Sequence, residues 1–224
     1  MKKLIMGVLA AVSLSVPALA EDSKITKGYN TMDSMGCMIL RECTDGVKEV
    51  FSLLDISSQY PNTESYTSFS LEFNNMLASL NQVGVKVFLA DQKYFPIGHR
   101  GVYHTVGNNF FLNRMYMDDP GTLMMVMRHE GWHAAQDCMA GTIKNSLIAI
   151  IKPEEEVPML WRTLAERTYP ASAVPWEAEA QWAGRTEGMT MKALEACATG
   201  KMWKVYEPTP LTRKYLVEEG YLDK

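Results

Sequence analysis

The sequence predicts a single α+β domain, mainly helical, with a small sheet just ahead of a long central helix. Three observations predict it. Apolar residues recur at helical spacing over much of the chain. Between residues 85 and 113 that period gives way to short alternating or continuous apolar runs. A segment follows that is apolar nearly all round, from Leu123 to Met139, and such a helix is buried.

Taken in order, the chain opens with a basic Met1-Lys2-Lys3 and an apolar run from Leu4 to Val16. That run is shorter than the roughly 20 residues a membrane-spanning helix needs. Ala18-Leu19-Ala20 is an A-x-A cleavage signal. Residues 1–20 therefore read as a signal peptide, and 21–224 as one domain large enough to bury its own core. No cysteine follows the cleavage site, so the leader is not of the lipoprotein type. Export to a bacterial periplasm or medium is expected, with no stable membrane insertion of the mature chain. Loss of Lys2 and Lys3 moves the net charge from −4 to −6, which argues against a nucleic-acid partner.

Residues 31–60 read as helical, because Val47, Val50, Phe51 and Leu54 fall at i, i+3, i+4 and i+7. Pro61-Asn62 breaks that helix. Thr63 opens a second, carrying Phe69, Phe73, Met76, Leu77 and Leu80. Residues 85–89 read as a strand. Residues 102–106 and 109–113 read as two more, joined through the turn dipeptide Gly107-Asn108. Asp119-Pro120-Gly121-Thr122 is a helix start, with Asp119 or Thr122 as N-cap. Residues 143–151 are apolar enough for a helix or a strand. Lys152-Pro153-Glu154-Glu155-Glu156 marks a helix N-terminus, followed by Leu160, Trp161 and Leu164 at helical spacing. A last helix is expected between Pro208 and Leu222. The 16 methionines read as fillers of an irregular core rather than as soft metal ligands.

The chemistry is carried by His129-Glu130-Gly131-Trp132-His133, an H-E-x-x-H pattern. On a helix, positions i and i+4 share a face one turn apart, so both imidazoles can reach one metal ion. Glu130 stands beside the first imidazole, where it can act on a water. A third ligand is sought downstream. Pro175 starts a helix there, and Glu177, Ala180, Gly184 and Gly188 form a stripe of small residues carrying one carboxylate. Glu179 lies about 200° away on a 3.6-residue helix, so the stripe favours Glu177.

Four cysteines, Cys37, Cys43, Cys138 and Cys197, allow three pairings. Cys138 ends the motif helix, and Cys197 ends the helix that starts at Glu177. A Cys138–Cys197 bridge would join the two metal-bearing helices. It leaves Cys37–Cys43 as a local pair, which requires non-helical backbone between them.

H-E-x-x-H followed by a helix with E-x-x-A resembles the gluzincin branch of the zincin metallopeptidases, over roughly residues 102–190. The likeness is to families whose second motif is E-x-x-A-D. Here it reads Glu177-Ala178-Glu179-Ala180-Gln181, with glutamine at the aspartate position. The resemblance implies a zincin-like fold with its small sheet before the active-site helix. It implies one Zn2+ per chain on His129, His133 and Glu177, with Glu130 as general base and then acid. Gln136 and Gln181 are expected behind the ligands. Arg185, Tyr103 and His104 are the named candidates for substrate or oxyanion contacts, with Tyr169 and His99 beside them. In zincins a strand before the motif helix pairs with an extended substrate, a role that falls on residues 109–113. A peptide or protein substrate is implied. The rival reading is a non-catalytic zinc-binding structural or interaction protein on the same scaffold. Retention of Glu130 favours the enzyme, and Gln181 favours the rival.

Overall fold

The computed structural model describes residues 34–223. The leader, and the start of the first predicted helix, lie outside the described residues. The first described element is α1 (Ser34–Ile39), followed by strand β1 (Val47–Glu49) and a single turn, α2 (Leu54–Ser57). The helix expected across 31–60 is therefore replaced by three short pieces. Gly46 takes a left-handed φ of 76°, which turns the chain so that Val47–Glu49 pairs with a neighbouring strand. Of the supposed apolar face, Val50 is buried, but Phe51 and Leu54 are 72% and 63% exposed. Strand pairing overrides a helical period that arose by coincidence.

Residues 63–69 form 3-10 turns that run into α3 (Ser70–Gln82), whose Phe73, Met76, Leu77 and Leu80 are buried as the spacing predicts. Strands β2 (Lys86–Ala90), β3 (Gly101–His104) and β4 (Asn109–Asn113) complete a sheet of order β1-β2-β4-β3. β2 and β4 are parallel, with Val87 opposite Phe110, and the two outer pairings are antiparallel. β3 ends at His104, two residues early, because the hairpin turn takes up residues 105–108 with Asn108 at φ 51°.

The sheet is covered on both faces, which is why β4 is buried at every position. Val87, Leu89, Phe110 and Leu112 face the main helical core. Phe88, Ala90 and Phe111 face a smaller cluster closed by Met38, Tyr94 and Phe95. The Cys37–Cys43 disulfide closes the loop that follows α1 over this second face, with Cα atoms 5.2 Å apart.

Then comes α4 (Pro120–Met139), the long central helix. Asp119 is its N-cap and accepts the Thr122 N–H at 2.8 Å, with Pro120 in the first turn. After it, residues 143–151 form neither helix nor strand. Residues 154–156 make only a 3-10 turn, and α5 (Met159–Thr168) begins behind Pro158. α6 (Val174–Gly184), α7 (Met189–Ala198), α8 (Met202–Val205) and α9 (Pro210–Glu218) follow. The helix expected to run from Glu177 to Cys197 is broken in two. Gly188, at φ 74°, starts α7 rather than extending the small-residue stripe of α6.

α4 packs against α3, α6, α7 and β3. Its close neighbour α6 runs antiparallel to it. A Cβ at Gly184 would lie 3.1 Å from the Met125 carbonyl oxygen and 3.3 Å from the His129 Cβ, so only glycine allows this approach. The Cys138–Cys197 disulfide ties the end of α4 to the end of α7, with Cα atoms 6.0 Å apart. Seven methionines, including Met76, Met124, Met127 and Met139, are buried in the apolar clusters, as core fillers should be. Two disulfides with no free cysteine suit an oxidising, exported environment. No helix among the described residues is long and apolar enough to cross a membrane.

Candidate metal centre

His129 and His133 lie one turn apart on α4, their ring centroids 4.9 Å apart and edge to face. Glu177, in the first turn of α6, comes against both. Its Oε2 is 3.4 Å from His129 Nε2 and 3.6 Å from His133 Nε2. The ligand atoms of all three residues lie within 4.8 Å of one another. A tetrahedral ion with bonds near 2.0 Å spaces its ligands about 3.3 Å apart. The two imidazole-to-carboxylate distances match that spacing. Glu177 Oε2 is buried and has no hydrogen-bond partner, a costly state that a cation between the three groups would relieve. The residues present therefore fit a metal ion.

The electrostatics point the same way. Burial opposes ionisation of Glu177, yet the two adjoining imidazoles hold its carboxyl far below the usual carboxylate range. Burial likewise disfavours charge on His133, but Glu177, with Glu130 and Gln136, outweighs it and raises the imidazole to about 9. The pocket favours a positive charge at this point, whether a proton or a metal ion.

The groups behind the ligands are arranged by Gln136 and Glu179. Gln136 Oε1 sits 2.8 Å from His133 Nδ1, while its Nε2 donates to Glu179 Oε2 at 2.7 Å and to the Trp176 carbonyl at 3.1 Å. Both partners of Nε2 are acceptors, so the amide orientation is settled, and Oε1 faces the histidine. An amide oxygen only accepts, so His133 carries a proton on Nδ1, which would leave its Nε2 lone pair for a cation placed between it and Glu177. Glu179 is fully buried. Besides Gln136 it accepts from Trp132 Nε1 at 3.0 Å and from the backbone N–H groups of Ile151 and Lys152 at 3.0 and 2.6 Å. Its burial raises its pKa despite these donors. Glu179 is thus the hub that holds the irregular 143–151 segment against α4, and Glu177 is the carboxylate of the candidate metal site.

Glu130 is buried on the adjacent wall and accepts the Tyr103 N–H at 2.9 Å through Oε2. Gly101 leaves room for it, since a Cβ there would lie 3.1 Å from Glu130 Cγ. The expected substrate strand needs correction. β4, residues 109–113, is interior, and β3 is the sheet edge beside Glu130. Backbone groups alternate along a strand, so the edge that offers the Tyr103 N–H also turns the Gly101 N–H and C=O outward.

Other expected site residues are placed elsewhere. The Tyr103 hydroxyl donates to Asp137 at 2.8 Å, deep in the core, so only its backbone serves the site. His104 stands at the far end of β3, where its Nδ1 accepts the Gly107 N–H of the hairpin turn at 3.2 Å. Gln181 lies beside Tyr169, and the His133 support expected of it comes from Gln136 on the same helix as the ligand. Tyr169 also lies close to Glu177. Burial, then the charges of Glu177 and Glu130, raise its pKa, so the phenol stays protonated as a donor. Its place just ahead of α6 was its only sequence signal.

These groups open on a cleft of about 570 Å³. His129 and Glu130 lie along one side, Trp161, Leu164 and Tyr169 along another, and residues 97–101 along a third. Arg185 and His99 border it as well. No family model, curated protein or solved structure matches this chain.

Proposed function

We propose that the chain is an exported zinc metallopeptidase built on a zincin-like core. One observation carries this reading. Two imidazoles and an unpartnered carboxylate oxygen converge at tetrahedral spacing, with a second carboxylate, Glu130, oriented by the edge strand of the sheet. A structural metal site has no use for that second carboxylate.

His129 Nε2, His133 Nε2 and Glu177 Oε2 would hold the zinc. Bound there, zinc supplies a Lewis acid that lowers the pKa of a water to about 7. Glu130 would serve as the proton acceptor for such a water. The Tyr103 N–H fixes its Oε2, which leaves Oε1 to hold the proton and pass it to the leaving amine. Tyr169 presents a protonated hydroxyl to the cleft, suited to donate to the oxygen that gains charge at the scissile carbonyl. The outward Gly101 N–H and C=O align an extended peptide along β3.

The rival reading, a zinc protein without catalysis, rested on Gln181. Its support weakens because Gln136 and Glu179 already orient His133. Glu130→Gln separates the two. The variant keeps the Tyr103 contact and the zinc but cannot take the proton. Peptide hydrolysis should fall about 10²–10⁴-fold with zinc content unchanged. A zinc-loaded wild type that cleaves nothing in a broad peptide library would place the chain with the non-catalytic rival.

A further inference from the structure

The cleft does not end at the metal centre. Arg100, Met125, Gly184 and Arg185 border both the cleft and an adjoining hollow of about 340 Å³, so the two spaces are continuous. The hollow lies towards the N-terminal end of α4, beside Gly121 and Thr122. Its side chains are mainly basic: Arg100, Arg128 and Arg185, against Asp119. This stands out on a chain of net charge −4.

Each charge can be accounted for. Arg128 is taken by Glu72, which it meets through two hydrogen bonds of 2.8 and 2.5 Å. Asp119 is committed to capping α4 through the Thr122 N–H and hydroxyl. Arg100 lies over the Tyr116 ring at 5.6 Å, and the Asp119 carboxyl is held below its usual range chiefly by the Thr122 hydrogen bonds, with the Arg100 charge adding to them. Arg185 ends α6 and makes no ion pair among the described residues. Both arginines are exposed, and both line the cleft and the hollow. Met125 lies one turn of α4 before His129, and Gly121 lies two. That places the hollow about 6–12 Å from the metal centre along the helix. An extended peptide covers that span in about two to four residues.

We propose that Arg100 and Arg185 form a carboxylate subsite, so that the preferred substrate is a peptide with an anionic group two to four residues from the scissile bond. The inference rests on the peptidase reading for the bond, but not for the binding. Arginine suits the role, because its planar donors grip a carboxylate in a bidentate manner. The carboxylate can be the free C-terminus of the peptide or an Asp or Glu side chain.

The test measures binding to zinc-loaded Glu130→Gln protein, where no cleavage intervenes. Three probes are used: acetyl-Ala-Ala-Leu-Ala-Ala as the free acid, the same peptide as its amide, and the amide with Glu in the last position. One or both anionic probes should bind at least about tenfold more tightly than the neutral amide. Tight binding of the acid alone assigns the C-terminus, and tight binding of the Glu amide assigns the side chain. Adding Arg100→Gln or Arg185→Gln should remove the preference while leaving zinc content and neutral-amide binding unchanged. Equal binding of all three probes overturns the subsite, and so does a preference that survives both substitutions. A preference without cleavage by wild type sinks the peptidase and keeps the subsite. Cleavage without a preference does the reverse.

Discussion

Gln136 joins two parts of the molecule that lie far apart in sequence. Its oxygen holds His133 and its nitrogen holds Glu179, which in turn holds the backbone at Ile151 and Lys152. Losing such support behind a metal ligand costs about 10–100-fold in metal affinity. Gln136→Leu keeps most of the volume and removes all three side-chain hydrogen bonds. Its zinc affinity, measured by competition with a chelator, should fall by that factor. An unchanged affinity would mean that His133 keeps its orientation by other contacts. At this scale the sequence was informative wherever spacing along one helix decided the matter. His129, His133, Glu130 and Gln136 share α4, so their relative places follow from the helix alone. Gln181 could not be placed that way. Its neighbour Tyr169 lies outside α6, and only the fold brings the two together.

Among elements, the position of α4 matters most, because it carries half of the site. The Glu72–Arg128 pair pins it to α3, one residue before His129. Burial opposes ionisation of Glu72, but the hydrogen bond and charge of Arg128 outweigh it and lower its pKa from 4.5. A carboxyl whose folded pKa is depressed contributes stability that is full above its unfolded value. That contribution is lost as the pH falls through the folded value. Glu72→Gln should therefore be less stable than wild type at neutral pH by about 1–3 kcal/mol. The gap should close as the pH drops below 4.5. Urea unfolding across pH reads this directly, and a gap that stays constant down to pH ~3 would remove the pair from the account. Helix identity was legible where buried residues repeat over several turns, as in α3 and α4. It failed for residues 47–54, where about two turns of periodicity competed with pairing to β2. It failed again at Gly188, whose left-handed backbone ends a stripe that composition alone would continue.

At the scale of the whole molecule, two disulfides and a doubly covered sheet hold a cleft between α4, α5, α6 and the strand β3. The bridge from Cys138 to Cys197 closes a loop of 59 residues. A loop of that length restricts the unfolded chain by about 4 kcal/mol. The Cys138–Cys197 pairing was legible from the helix ends it joins, and Cys37–Cys43 followed as the remaining local pair. The sheet order was not, because nothing in a run of apolar residues says which strand lies at the edge. That order decides the site, since it gives Glu130 its backbone donor from β3 rather than β4. All of the proposed chemistry depends on one cation held by His129, His133 and Glu177. Its most direct test is elemental analysis of protein purified without chelators, wild type beside Glu177→Ala. The account predicts one zinc per chain in wild type and loss of most of it in a variant that remains folded. Wild type without bound metal, or Glu177→Ala with its zinc intact, would contradict it.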